Sequence, residues 1–144
     1  MATGGPGEWQ LVKRGKKTKG FDYQTKRAGV PPQDANGYVF EYEIPYPPAK
    51  EGVIRFDAFA MRNGKPVFID EKSGYDRLLN NAFTGSQKMI LDKMLAEAQG
   101  QMAALRYNHI SASIEWAFSS KQSADIVAAF FRDKGIPITV VWVP

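Results

Sequence analysis

The sequence predicts one α/β domain in which the elements run α-β-β-β-α-β-α-β and build a mixed sheet flanked by helices. Three observations carry this expectation. Strand-like alternation occurs three times in the first half of the chain, and two later stretches carry apolar residues at helical spacing. Strands and helices then alternate, as they do in crossovers between parallel strands. With 144 residues, the chain has the usual length of a single domain.

Each element follows from a local pattern. Tyr38–Ile44 places four large apolar residues on one face, which is typical of a strand. Ser86 is expected to cap the long helix, in which Gly100 should cost about 1 kcal/mol against alanine and so indicates a close neighbour. The predicted elements are, in chain order, Phe21–Ala28, Tyr38–Ile44, Val53–Ala60, Pro66–Lys72, a long helix after Ser86, Ala112–Phe118, Ser123–Lys134 and Ile136–Val143.

The amino-acid composition excludes several classes of function. The chain has no cysteine, which excludes disulfides, thiolate catalysis and cysteine-based zinc sites. Its one histidine, His109, cannot by itself build a histidine-rich metal site. No apolar run approaches the roughly 18 residues of a membrane span, and we expect no secretory signal in the first residues.

The positive charge is concentrated near the N-terminus. Residues 1–30 contain seven lysines and arginines against two acids, whereas residues 31–144 contain twelve against thirteen. We interpret residues 1–19 as a flexible basic arm and residues 20–144 as the folded domain. Nucleic acid is the partner that such an arm favours, and a solvated terminus without a partner explains the same run equally well.

Two acids and a lysine fall on a predicted hairpin around Asn63-Gly64. Asn-Gly is the preferred pair for a two-residue type I′ turn, and this turn sets the register of both strands. The numbers of facing residues then sum to 127, so Asp57 faces Asp70. Strand alternation places Lys72 on the same face as Asp70.

This arrangement favours a divalent metal and phosphodiester chemistry. Facing carboxylates repel each other, and Mg²⁺ binds carboxylate oxygens while it keeps several waters. A lysine beside the ion could position or deprotonate an attacking water, or stabilise charge on a transferring phosphate. A solvated surface hairpin is the simpler alternative. The large apolar neighbours of both acids weigh against it.

The ordered pattern resembles the PD-(D/E)XK, or restriction-endonuclease-like, nuclease superfamily. Within it, the chain resembles the toxin domains at the C-termini of bacterial polymorphic toxins and type VI secretion effectors. An acid, a hairpin and a D-x-K motif on the next strand carry the resemblance. The matching pieces are Tyr23-Gln24, Phe56-Asp57-Ala58-Phe59, Asp70–Asp76, Gly100-Gln101, Ile114–Phe118 and Ile138–Val141.

The resemblance implies a PD-(D/E)XK core and a role for each matching position. Asp57 and Asp70 would ligate Mg²⁺ or Mn²⁺, together with the main-chain carbonyl of Glu71. Lys72 would be the catalytic lysine, and Gln101 would lie over the site from the long helix and hold the lysine or the nucleic acid.

The chain also departs from the toxin pattern. Asp70 stands where glutamate is common, so Glu71 is an alternative side-chain ligand. Strand alternation turns Glu71 away from Lys72 and favours Asp70. Ala117 stands where histidine is expected. The first helix supplies no glutamate, which leaves Glu41 or Glu43 of the first predicted strand as substitutes for a third acid.

Substrate contacts are expected from Gln24, Lys16 and Lys17, and from one aromatic residue. That residue, Tyr75, could stack on a base or sugar, and packing within the fold explains it equally well. Trp116, Trp142 and the phenylalanines are interpreted as core residues.

The function that the resemblance implies is that of a Mg²⁺-dependent DNase acting as an antibacterial toxin effector. A secretion machinery would deliver it, through a region N-terminal to this sequence, into the cytoplasm of a target cell. A cognate immunity protein would hold it inactive in the producer. Two alternatives stay open: an RNase or tRNase of the same fold, and a non-catalytic nucleic-acid-binding module that relies on the basic arm.

Overall fold

A computed structural model describes residues 1–15, 19–75 and 84–144, and these residues form a mixed α/β fold with three helices. No helix in the described ranges is long and apolar enough to cross a membrane. The elements are β1 (Glu8–Lys13), α1 (Lys19–Ala28), β2 (Tyr38–Pro45), β3 (Val53–Phe56), β4 (Ala58–Arg62), β5 (Lys65–Lys72), α2 (Thr84–Tyr107), β6 (Ser113–Phe118), α3 (Lys121–Lys134) and β7 (Thr139–Trp142).

The strands belong to two sheets rather than one. The first sheet has the order β1-β2-β3 and is antiparallel throughout. The second has the order β4-β5-β6-β7, in which β4 is antiparallel to β5 while β5, β6 and β7 run parallel. The expected mixed sheet is therefore this second one.

The predicted order of elements was wrong in two places. Residues assigned to the flexible basic arm include β1, which pairs with β2 over six positions. The predicted strand Val53–Ala60 is two strands, because β3 pairs with β2 whereas β4 pairs with β5. The chain passes from one sheet to the other at Asp57, which lies between them.

The predicted turn and register of the central hairpin are confirmed up to Ala58, and the expected pair of Asp57 with Asp70 falls just beyond the end of the ladder. Arg62 pairs with Lys65, and the pairing continues to Ala58 opposite Ile69. Asn63 and Gly64 have φ values of 53° and 75°. Both lie in the left-handed region that a type I′ turn requires at its two central positions.

The second sheet has helices on both sides. Phe68, Trp116 and Phe118 face the side of α2 and α3, where they are fully buried in the main core. On the other side, a smaller cluster of Ala58, Val67 and Ile69 lies next to the end of α1. Alternation along β5 therefore turns even-numbered residues toward α2 and odd-numbered residues toward α1.

The N-terminal residues pack against the first sheet. The indole of Trp9 donates to the carbonyl of Ala2 at 2.7 Å, and the N–H of Gly7 donates to the hydroxyl of Tyr42 at 2.8 Å. A Cβ at Gly7 would lie 2.3 Å from the main-chain oxygen of Glu43. Glycine is needed there because the two backbones approach so closely.

Gly100 differs from Gly7, and the expectation of a close neighbour was wrong. A Cβ at Gly100 would meet no atom of the described residues nearer than Ile54 Cδ1, at 4.0 Å. We therefore predict that Gly100→Ala stabilises the protein by about 1 kcal/mol, the helix-propensity difference. Urea unfolding measures it, with Gly7→Ala as the destabilised counterpart. A loss of stability in Gly100→Ala would contradict the prediction.

Candidate active site

Four of the predicted site residues meet on the α2 side of the second sheet. Asp57 lies between β3 and β4, Asp70 and Lys72 lie in β5, and Gln101 lies in α2. The amide of Gln101 donates to Asp70 Oδ2 at 2.6 Å. Lys72 Nζ is 3.4 Å from the same oxygen. The main-chain N–H of Asp57 points at Asp70 Oδ1, with 3.4 Å between the two heavy atoms.

The break between β3 and β4 explains how an aspartate can occupy this position. Asp57 is outside both ladders, so it avoids the interior of a strand, which disfavours aspartate. Its Oδ2 accepts the main-chain N–H of Glu71 at 2.8 Å. The side chain therefore satisfies a backbone donor of β5 and fixes the acid beside Asp70.

The two acids have opposite electrostatic environments. Burial and the charge of Asp70 raise the pKa of Asp57 well above its usual value. Burial would also raise the pKa of Asp70, but the Lys72 ammonium and hydrogen bonds from Glu97 and Gln101 lower it. The two shifts therefore favour the protonated form of Asp57 and the ionised form of Asp70.

Lys72 is enclosed by two acids and an indole. Its Nζ lies 2.5 Å from Glu97 Oε1 and 4.3 Å from the centre of the Trp116 ring. Burial alone would lower the pKa of Lys72, but the charges of Asp70 and Glu97 raise it above its usual value. The side chain is therefore an ammonium, which suits charge stabilisation rather than removal of a proton from water.

Glu97 is a member of the site that the sequence analysis missed. It lies on α2 one turn before Gln101, and residues four apart share a face of a helix. That spacing was the available signal. The Glu97 side chain is 44% exposed. Partial burial of its carboxyl and the charge of Asp70 raise its pKa to about 7.

Glu71 faces the opposite side of β5, as alternation predicts. Its side chain is only 1% exposed, and Arg27 Nε of α1 lies 3.8 Å from its Oε2. Neither carboxyl oxygen has a hydrogen-bond partner among the described residues. Burial raises the pKa of Glu71 to about 7. Metal binding through its main-chain carbonyl stays a prediction.

Of the other expected contacts, Gln24 lies across the sheet, Tyr75 lies near enough to Lys72 to influence the pKa of that lysine, and two lysines fall outside the described ranges. Gln24 is buried on α1, on the other side of the sheet. Tyr75 packs edge-on against Phe118, with 6.5 Å between ring centres, so it contributes to packing. Lys16 and Lys17 fall in a stretch that the structure does not describe.

The two glutamates considered as a third acid are both held by arginines. Arg14 donates to both carboxyl oxygens of Glu41, at 2.5 and 2.6 Å. Arg55 Nε lies 3.3 Å from Glu43 Oε2. Both acids therefore have a cationic partner on the first sheet, and their use as ligands would require these contacts to change.

The acid pair fits a hard divalent ion. A cation held by Asp57 and Asp70 would remove the repulsion that raises the pKa of Asp57. Mg²⁺ and Mn²⁺ favour carboxylate oxygens, and Mg²⁺ is commonly bound by one or two protein carboxylates with waters. Among the described residues, no cluster of three or more acids or histidines is gathered into a metal site.

Comparisons with known proteins do not test the resemblance, which still rests on the residues quoted for it. No protein-family model matches the chain, and no curated protein and no solved structure matches it significantly. What the PD-(D/E)XK resemblance implies is therefore carried forward as a proposal, supported by the geometry of the four residues.

We predict that Glu71→Gln stabilises the protein at high pH but not at low pH. A carboxyl whose pKa is raised from 4.5 to about 7 holds its proton more tightly in the folded state. The stability that the protonated carboxyl gives to the folded state is therefore fully present below about pH 4.5 and is lost as the pH rises toward 7. The variant should match wild type near pH 4.5 and exceed it by about 3 kcal/mol above pH 7.

Urea unfolding with EDTA present measures this difference without interference from metal ions. Because Glu97 and Asp57 are present in both proteins, the difference between the two free energies of unfolding isolates Glu71. Equal stabilities of the two proteins across the whole pH range would show that folding does not raise the pKa of Glu71.

Proposed function

We propose that the protein is a nuclease that uses Mg²⁺ or Mn²⁺ to hydrolyse phosphodiester bonds in DNA. The convergence of Asp57, Asp70 and Lys72 at one end of β5 is the observation that carries the proposal. The resemblance adds the biological setting, which is an antibacterial toxin effector. Delivery into the cytoplasm of a target cell and neutralisation by an immunity protein are parts of the same proposal.

The acid pair would hold the ion through carboxylate oxygens of Asp57 and Asp70. When bound, the ion would polarise a phosphate oxygen and lower the pKa of a coordinated water. The lowered pKa of Asp70 favours its anionic form, whereas the raised pKa of Asp57 favours a protonated carboxyl that would have to ionise to bind the ion. Ion binding should therefore strengthen as the pH rises.

Lys72 would supply positive charge to the reacting phosphate. As an ammonium it can stabilise the negative charge that develops on the phosphate oxygens in the transition state. It is held by Glu97 and by Asp70. A phosphate would compete with Glu97, the more exposed of the two acids, for the ammonium. Asp70 would keep Lys72 near the ion during this exchange.

We predict that plasmid DNA is cut in the presence of Mg²⁺ and left intact when EDTA is added. Asp57→Asn keeps an acceptor for the Glu71 N–H but loses the charge, and Lys72→Met keeps the aliphatic stem. Each should lower the cleavage rate at least about 100-fold, because each removes a charge used in the transition state. Agarose gels of plasmid, with total RNA in parallel, give the measurement.

Lys121→Ala is the matched control for the lysine variant. It removes a lysine whose side chain is 63% exposed and whose ion pair with Asp125 lies on α3. Its cleavage rate should equal that of wild type. Intact DNA with folded wild-type protein would refute a DNase. Cleavage of RNA alone would change the substrate, and salt-sensitive binding without cleavage would favour the non-catalytic alternative.

We also predict that Mg²⁺ stabilises wild type against thermal unfolding but does not stabilise Asp57→Asn. A ligand at 100 times its Kd adds about 2.7 kcal/mol to the stability of the folded state. Without the ion, Asp57→Asn should be at least as stable as wild type at neutral pH, because the raised pKa of the Asp57 carboxyl costs stability there and an amide does not titrate. Calorimetry measures both effects. Equal Mg²⁺ stabilisation of the two proteins would place the ion elsewhere.

A further inference from the structure

Trp116 is the one fully buried tryptophan among the described residues, and it touches two members of the site. It lies in β6, where its ring packs edge-on against Phe131 with 5.1 Å between ring centres. Its indole N–H donates to Gln101 Oε1 at 2.9 Å. Its ring face lies 4.3 Å below Lys72 Nζ. A residue interpreted as core therefore contacts the amide and the ammonium that both bind Asp70.

The indole fixes which end of the Gln101 amide meets Asp70. An indole N–H can only donate, and an ionised carboxylate can only accept. With its oxygen on Trp116 and its nitrogen on Asp70, the amide satisfies both neighbours at 2.9 and 2.6 Å. The reversed amide would set two donors against each other and two oxygens against each other. Trp116 therefore selects the orientation that supports the ionised form of Asp70.

The ring face has a second effect on the same carboxylate. A cation over the face of an indole is attracted by the negative charge of the ring. Lys72 is held between this face and Asp70 Oδ2, which is 3.4 Å from Nζ. The ring thus limits the positions that the ammonium can take after it leaves Glu97. Its electron density also partly offsets the cost of burying the charge.

We propose that Trp116 is a positioning residue of the candidate active site. Its N–H orients Gln101 toward Asp70, and its ring face holds the Lys72 ammonium against the same carboxylate. The catalytic consequence rests on the proposed nuclease function. The orientation of the side chains does not, so the two claims can fail separately.

Side-chain NMR without any metal tests the orientation directly. In wild type, the Gln101 side-chain amide protons should exchange slowly with water, and the Lys72 methylene signals should be shifted upfield by the ring. Trp116→Phe keeps an aromatic ring but loses the N–H, so exchange at the Gln101 amide should become at least about tenfold faster. Unchanged Gln101 signals in folded Trp116→Phe would overturn the proposal.

Trp142→Phe is the matched control. It makes the same substitution at an indole that is 49% exposed and donates to the carbonyl of Ser119 at 3.2 Å. The Gln101 and Lys72 signals should not change in this variant. If they change as much as in Trp116→Phe, the effect does not come from the contact with Trp116, and the proposal fails.

Gln101→Leu tests the same hydrogen bond through its acceptor instead of its donor. It removes the acceptor, so the indole N–H of Trp116 should move upfield while those of Trp9 and Trp142 stay in place. This variant keeps the proposal testable if Trp116→Phe does not fold. A Trp116 indole signal that does not respond to Gln101→Leu would overturn it.

Mn²⁺ affinity, measured by electron paramagnetic resonance, tests the consequence for the acid pair. Trp116→Phe should weaken binding about 10-fold, in the range seen when partners of a metal ligand are removed. The same change should have little further effect in a Gln101→Leu background. If Trp116→Phe lowers Mn²⁺ affinity equally in wild type and in Gln101→Leu, the claim that Trp116 acts through Gln101 is overturned. Absent Mn²⁺ binding in wild type would refute the proposed function, and the NMR result would then decide the orientation alone.

Discussion

The hydrogen bond from the Glu71 N–H to Asp57 Oδ2 is the contact on which the arrangement of the site depends. The chain leaves the first sheet at Phe56 and enters the second at Ala58, so Asp57 has no ladder partner on either side. Its carboxyl takes the place of that partner. One contact thus ties the crossing between the sheets to β5 and places an acid beside Asp70.

The charges that surround this crossing are costly to bury, and packing alone does not require them. Asp70 and Lys72 are each less than a tenth exposed. A buried ion pair contributes little net stability, and loss of one partner leaves an unpaired charge that costs about 3–5 kcal/mol. The pair is tolerated because Gln101 and Glu97 satisfy the remaining polar atoms. Such a network is expected where an electrostatic task outweighs the gain from an apolar core.

The local chemistry of the hairpin was readable from the sequence, whereas its surroundings were not. Asn63-Gly64 determines the turn, the turn determines the register, and the period of two places Lys72 with Asp70. The contribution of Glu97 depends on how α2 packs over β5, and that of Trp116 depends on the pairing of β6 with β5. Both contacts join residues far apart in the chain. The helical spacing of Glu97 and Gln101 places them on one face, but no local period shows that this face meets β5 or that Trp116 lies beside it. β1 was missed for the same reason, because Glu8–Lys13 is a short mixture of polar and apolar residues that forms its strand by pairing with β2.

In the proposed nuclease, the charged groups of the site without ligands are paired with one another. The raised pKa of Asp57 favours its protonated form, and Lys72 is shared between Asp70 and Glu97. A metal ion held by the two aspartates would displace the proton that the raised pKa of Asp57 favours, and a phosphate would compete with Glu97 for Lys72. The ion would bring positive charge to the two aspartates, and the phosphate would bring negative charge to Lys72. Catalytic geometry would therefore be completed by the substrate and its ion together, while Gln101 and Trp116 keep Asp70 fixed through both exchanges.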